Sequence, residues 1–243
     1  MDLEEVAGRA FDWVGSVAVA ADGGLRWLED GARFDDLYAG TAGVLLGCAE
    51  ATAAGIGTGQ IPAGARDRLR YLAGQGAAGQ GAATMADDGV FSGWAGVAVA
   101  LRAWSRAAGD EAAAEAAAQV TAQIAGRVLA AADGPAGCTD IISGDAGILL
   151  VLIADGSATA ARAAHALADR LVAAAEPGPD GPHWRMTADW PYITASPVGR
   201  GGTATGTAQP SSCCPMASSV PAPRRAASSR SARSSACPAA ASA

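Results

Sequence analysis

The residues of this 243-residue chain whose types and spacing suggest chemistry lie near its glycine motifs. Asp140 lies four residues before Gly144, with Cys138 two residues upstream of it. A carboxylate at the mouth of a buried helix can face an internal cavity. Burial there raises its pKa toward values useful for moving protons. An aspartate at the same place can equally be a turn residue that accepts from nearby backbone N–H groups. The other carboxylates near such glycines are Asp145 and the adjacent Asp35 and Asp36. That pair reads most simply as the lead into a helix. His165 falls within an amphipathic pattern and reads as structural or solvated, and His183 lies in a loop and reads as solvated. The cysteines (Cys48, Cys138, Cys213, Cys214 and Cys237) show no C-x-x-C spacing, so free thiols are expected. Cys48 lies in an apolar run and reads as a small buried residue. Cys138 has no identifiable His or helix-terminus partner and reads as structural. On these grounds the residues offer no metal site. Trp27, Trp94 and Trp104 either line a groove or fill the core, and their helical positions favour the core.

The elements that must position these residues are announced by a repeat. Three G-x-x-G motifs, Gly40 to Gly43, Gly93 to Gly96 and Gly144 to Gly147, each open an apolar run. The second glycines are spaced by 53 and then 51 residues, the mark of one supersecondary unit copied and stacked. The runs after the motifs (42–54, 95–103 and 146–153) are apolar nearly all round and belong inside. Between them, 64–74, 110–132 and 158–175 each carry one polar face. In the first of these Arg66, Asp67, Arg68 and Arg70 form that face. Gly- and Pro-rich punctuation separates the segments. No stretch alternates with period two over a useful length. The expected fold is all-α, an α/α toroid of inner and outer helix pairs, preceded by a helix near 3–18. Glycine at the start of an inner helix lets backbones converge and leaves amide N–H groups to face a ligand.

Composition bounds the partners. Residues 1–190 hold all 24 acidic residues against 12 arginines, so this body argues against nucleic acid or anionic membrane as its main partner. No apolar stretch approaches the roughly 20 residues that span a bilayer. The start, Met1-Asp2-Leu3-Glu4-Glu5, is acidic where a signal peptide is basic, and a cytoplasmic protein is expected. The absence of Lys and Asn fits a GC-rich bacterial coding sequence.

At the motif residues the chain resembles the lanthionine synthetase C-like (LanC-like) family. The matching segments are Gly23 to Trp27 with Phe34 to Val44, Phe91 to Gly96, and Thr139 to Leu149. The resemblance spans about residues 1–190 and implies the N-terminal part of an α/α toroid. It implies zinc-dependent addition of peptide cysteine thiols to dehydrated Ser or Thr, on a dehydrated precursor peptide. The family's zinc is held by two Cys and one His. An aspartate just before the third motif, which maps onto Asp140, serves there in acid–base chemistry.

The chain departs from the family where a fourth motif is due. There it reads Trp190 to Gly202 without the expected Ser-His-Gly stretch, and no His follows His183. The family's zinc ligands are not identifiable. From Gly199 onward only Met216 and Val220 are large apolar residues, too few to offset ordering entropy. We therefore expect a partial LanC-like domain over 1–190. Over 191–243 we expect a disordered low-complexity tail, either natural or, as the lost motif favours, frameshifted. The family's activity is expected to be impaired or absent, and exposed inner-helix edges to promote self-association. Two rival readings are a non-catalytic peptide-binding scaffold and a glycan-processing toroid. The second needs another axial carboxylate, with Asp145 and Asp35-Asp36 as candidates.

Overall fold

The computed structural model describes residues 3–29, 32–76, 87–131, 134, 137–179 and 181–185. It is mostly helical. Helix α1 (Leu3–Ser16) comes first, followed by four short strands, β1 (Val19–Ala21), β2 (Gly24–Arg26), β3 (Leu28–Glu29) and β4 (Ala32–Arg33). Six further helices follow: α2 (Thr41–Ala53), α3 (Ile61–Gln75), α4 (Trp94–Ala108), α5 (Glu111–Ala130), α6 (Asp145–Asp155) and α7 (Ala158–Ala173).

Helix α2 packs on α4 and α4 on α6, while α3 packs on α5 and α5 on α7. Each inner helix also packs on the outer helix that follows it. The result is an inner row and an outer row, as the alternation of apolar and amphipathic segments predicts. The core between the rows is built from Leu45, Leu69, Val97, Leu101, Ile124 and Leu152, all fully buried. Truncating one such leucine to alanine costs about 2–5 kcal/mol. Trp27 and Trp94 are buried in the core, and Trp104 is half-buried and packs against it. The Trp27 indole N–H donates to the Val14 carbonyl and ties α1 down.

The helix ends are set by local chemistry. Pro62 sits in the first turn of α3, where its missing N–H costs nothing. Asp110 and Ser157 cap α5 and α7 by accepting from the N–H groups of Ala113 and Ala160. Helix α4 stops at Gly109, which takes the left-handed conformation (φ 68°).

Three expectations need correction. The residues after α1 form two antiparallel hairpins, β1 with β2 and β3 with β4, where no strand was expected. The first turns on Asp22-Gly23, a two-residue loop flanked by strands too short to show alternation. Arg68 is buried rather than on a solvated face, because it pairs with buried Asp35. Helix α6, apolar all round, is buried on one side only: Leu150 and Ile153 are 54% and 62% exposed. Its repeat equivalent of Ile153 in α4 is Arg102, which reaches Asp155 of α6 at 2.6 Å. The same face of α6 meets no further inner helix among the described residues.

Candidate functional site at the helix entrances

Each inner helix begins with the same local construction. Gly40, Gly93 and Gly144 are the residues just before α2, α4 and α6, in extended conformation. A Cβ on any of them would overlap the carbonyl six residues upstream, on Phe34, Asp87 and Cys138 respectively. The second glycines repeat this: a Cβ on Gly43, Gly96 or Gly147 would overlap the carbonyl of Leu37, Val90 or Ile141. The entrance loop therefore folds back tightly over the start of its own helix. Loop carbonyls take up the first helical N–H groups. Ala42 donates to Asp35, Gly43 to Asp36, Trp94 to Asp87, Ala95 to Asp88 and Asp145 to Cys138. This corrects the expectation that these amides face a ligand, since the loop itself satisfies them.

Neighbouring entrances are joined to one another. The Tyr38 N–H donates to the Phe91 carbonyl at 3.0 Å, and the Phe91 N–H to the Ile142 carbonyl at 2.9 Å. The partners are separated by 53 and 51 residues, the spacing of the repeat itself. Leu37 lies against the Cα of Gly96, and Val90 against that of Gly147. The second glycine thus lets the preceding loop nest against the next helix.

Each entrance is also tied outward by an aspartate–arginine pair. Buried Asp35 meets Arg26 at 2.7 Å and Arg68 of α3 at 2.8 Å, and the Thr41 hydroxyl donates to it at 2.7 Å. Asp88 takes two bonds from Arg127 of α5, and Asp145 two from Arg170 of α7. Removing one partner of a buried pair costs about 3–5 kcal/mol, because it leaves an uncompensated charge. Asp35 and Asp145 are therefore structural. Asp36 accepts from the Ala39 N–H. None of the three supplies the second carboxylate beside Asp140 that the glycan reading needs.

Asp140 is half-buried, on the loop leading to α6. Its Oδ1 accepts from the N–H groups of Ile142 and of Ser143, the latter at 2.8 Å. Its Oδ2 accepts from the Cys138 thiol at 2.7 Å. The turn role is thus present, and the second oxygen faces a thiol. Next to this loop lies a carboxylate that the sequence analysis does not single out. Asp87 accepts from the Gly89 N–H at 2.7 Å and from the Ser92 hydroxyl at 3.0 Å. The Ser92 and Ser143 hydroxyls are 3.1 Å apart. Asp87, Ser92, Ser143, Asp140 and Cys138 form a continuous polar seam between the second and third entrances. Burial pushes the Asp87 carboxyl up and the Gly89 and Ser92 bonds oppose it, while the nearby charges of Asp88 and Asp140 push it further up. A signal for this exists in the sequence: Ser92 and Ser143 are in repeat register, and Asp87 is in register with Cys138.

The remaining candidates do not converge. Cys48 is fully buried in α2, and burial pushes its thiol up to about 11, away from the thiolate that binds metal. His165 is exposed on α7. His183 is half-buried rather than solvated, in a backbone bridge with Glu176. Among the described residues no group of three or more His, Cys, Asp or Glu could hold a metal ion. Those residues do not fit the zinc that the resemblance implies. Cys213, Cys214 and Cys237 lie outside the described residues, as does the expected tail.

An array of paired helices whose inner members open at linked, glycine-built mouths defines the class: an all-α inner/outer repeat fold. The family model described as lanthionine synthetase C-like protein matches residues 32–172, more than half of the chain, and the chain belongs to that family. The match takes in all three entrances. No curated protein and no solved structure matches the chain. No helix among the described residues is long and apolar enough to cross a membrane.

Proposed function

We propose that the chain binds a dehydrated, cysteine-bearing peptide across its entrances. Through Asp140 it then assists addition of the peptide's thiol to dehydroalanine or dehydrobutyrine. In this addition a sulfur–carbon bond forms at the β-carbon and the carbon–carbon double bond is lost. The proton that leaves the thiol ends on the α-carbon. One observation carries the reading: at the third entrance a carboxylate oxygen already receives an S–H, from Cys138 to Asp140 Oδ2. A substrate thiol would make the same bond. Membership of the family supports the peptide as substrate class. Zinc, when bound in the family, supplies the thiolate. The described donors do not fit it, so no step is assigned to it, and slow addition is expected.

The product is an isomer of the substrate, so the test follows the thiol rather than the mass. A dehydrated peptide is incubated with the full chain, and the remaining thiol is counted by alkylation. Thiol loss above the protein-free rate is expected, and Asp140→Asn lowers it by about 100-fold, or to the protein-free rate if that comes first. Equal loss with and without protein overturns the reading. Peptide binding without thiol loss would favour the scaffold reading. Asp87 beside Asp140 keeps the paired-carboxylate reading testable, and release of reducing sugar from an oligosaccharide would favour it.

A further inference from the structure

The first and third entrances carry aspartates at the same repeat position, four residues before the first glycine, and they hold different sets of backbone N–H groups. In the first, Asp36 accepts from the Ala39 N–H, and the Tyr38 N–H is left to donate to the second entrance at Phe91. In the third, Asp140 accepts from the equivalent Ser143 N–H and also from the Ile142 N–H. Ile142 is the register equivalent of Tyr38 and Phe91, both of whose N–H groups pass to the next entrance. At the last rung there is no next entrance among the described residues, and Asp140 Oδ1 takes the bond instead.

We infer that this last rung is a docking position for the backbone of the substrate peptide. An extended peptide segment laid beside Ile142 offers a carbonyl in the place that Phe91 offers Tyr38 and Ile142 offers Phe91. An apolar peptide side chain then covers Ile141 and Ile142, which are 51% and 48% exposed. The argument for this occupant is continuity. The rungs between entrances are single backbone bonds from one turn to the next, and a peptide carbonyl continues them without demanding a particular sequence. Docking draws the Ile142 N–H away from Asp140 Oδ1, which keeps the Ser143 N–H. Peptide arrival therefore takes one donor from Oδ1 and leaves Oδ2, the oxygen that meets the thiol, as it is. The inference rests on the proposed peptide function, but it concerns binding and not turnover.

The test uses the full chain and a capped hexapeptide with alternating Ile and Ala and a central Cys. The peptide has no dehydrated residue and cannot react, so failure of binding is distinct from failure of thioether formation. NMR follows the Ile142 amide and the Asp140 carboxyl carbon during titration. Saturable, concerted shifts of both signals are expected, with slowed exchange of the Ile142 amide. Asp140→Ala removes the competing acceptor and should tighten binding by about threefold, the worth of a modest hydrogen bond. A peptide held by direct contact with Asp140 would instead bind more weakly to that variant. Unshifted Ile142 and Asp140 signals, or weaker binding to Asp140→Ala, overturn the inference. So does an Ile142 amide that already contacts residues beyond Arg185, or a second copy, in the peptide-free protein.

Discussion

At the residue scale the polar seam is where chemistry and stability meet. Among the described residues Asp87 pairs with no arginine, unlike Asp35, Asp88 and Asp145, and it depends on the Gly89 N–H and the Ser92 hydroxyl. Burial raises its pKa above the ordinary aspartate value. The folded state therefore binds its proton more readily than the unfolded chain does. The resulting stability is full below the ordinary pKa of about 3.9 and is lost as pH rises through the raised value. Asp87→Asn keeps an acceptor for both donors and has no charge to bury. Urea unfolding at pH 3.5 and pH 7 should show the variant gaining on the parent as pH rises. A constant difference would remove Asp87 as a half-buried, ionising group. Asp140 was legible because it stands alone before a glycine motif. Asp87 was not, because Asp87-Asp88 reads as an ordinary charged turn until the three loops are set in register.

At the element scale the second glycines hold the entrances together. Gly147 has the Ile141 carbonyl of its own loop and Val90 of the preceding one within reach of any added Cβ. Val90 Cγ2 can give way, but the Ile141 carbonyl is backbone and must move with its loop. Gly147→Ala is therefore expected to lower the urea midpoint and to shift the amide signals of 138–143, and with them Asp140. Gly126 serves as the control, because open space surrounds its Cβ position. There Ala should be neutral or stabilising, since alanine is the better helix former by about 1 kcal/mol. A Gly147→Ala protein with unchanged loop signals would refute the close-approach account. The G-x-x-G repeat and the inner/outer order were legible because glycine spacing and apolar faces are local patterns. The hairpins were not, although Asp22-Gly23 is a turn signal, because strands of three residues carry no periodicity.

At the scale of the whole molecule the described part of the two rows ends on an apolar edge, with Leu150 and Ile153 of α6 and Val172 of α7 all more than half exposed. Such a patch favours association. We expect sedimentation velocity to show concentration-dependent self-association. Leu150→Glu with Ile153→Arg, an i,i+3 pair on one helix face, should weaken it without loss of helicity. A parent chain that sediments as a monomer across the concentration range would refute this. The helical class and the order of buried and amphipathic helices can be read from spacing along the chain, and the family from the resemblance at the motif residues. The sequence also marked Asp140. How the glycine motifs are used became visible in the folded chain alone. Their amides are bonded to the loops before them, and the loops are bonded to one another across 53 and 51 residues. The folded chain also shows that Arg68 lies inside and that Asp87 and Asp140 share a seam. Hydrogen bonds and charge pairs between distant loops leave no local pattern. They are set by which backbones the glycines allow to touch.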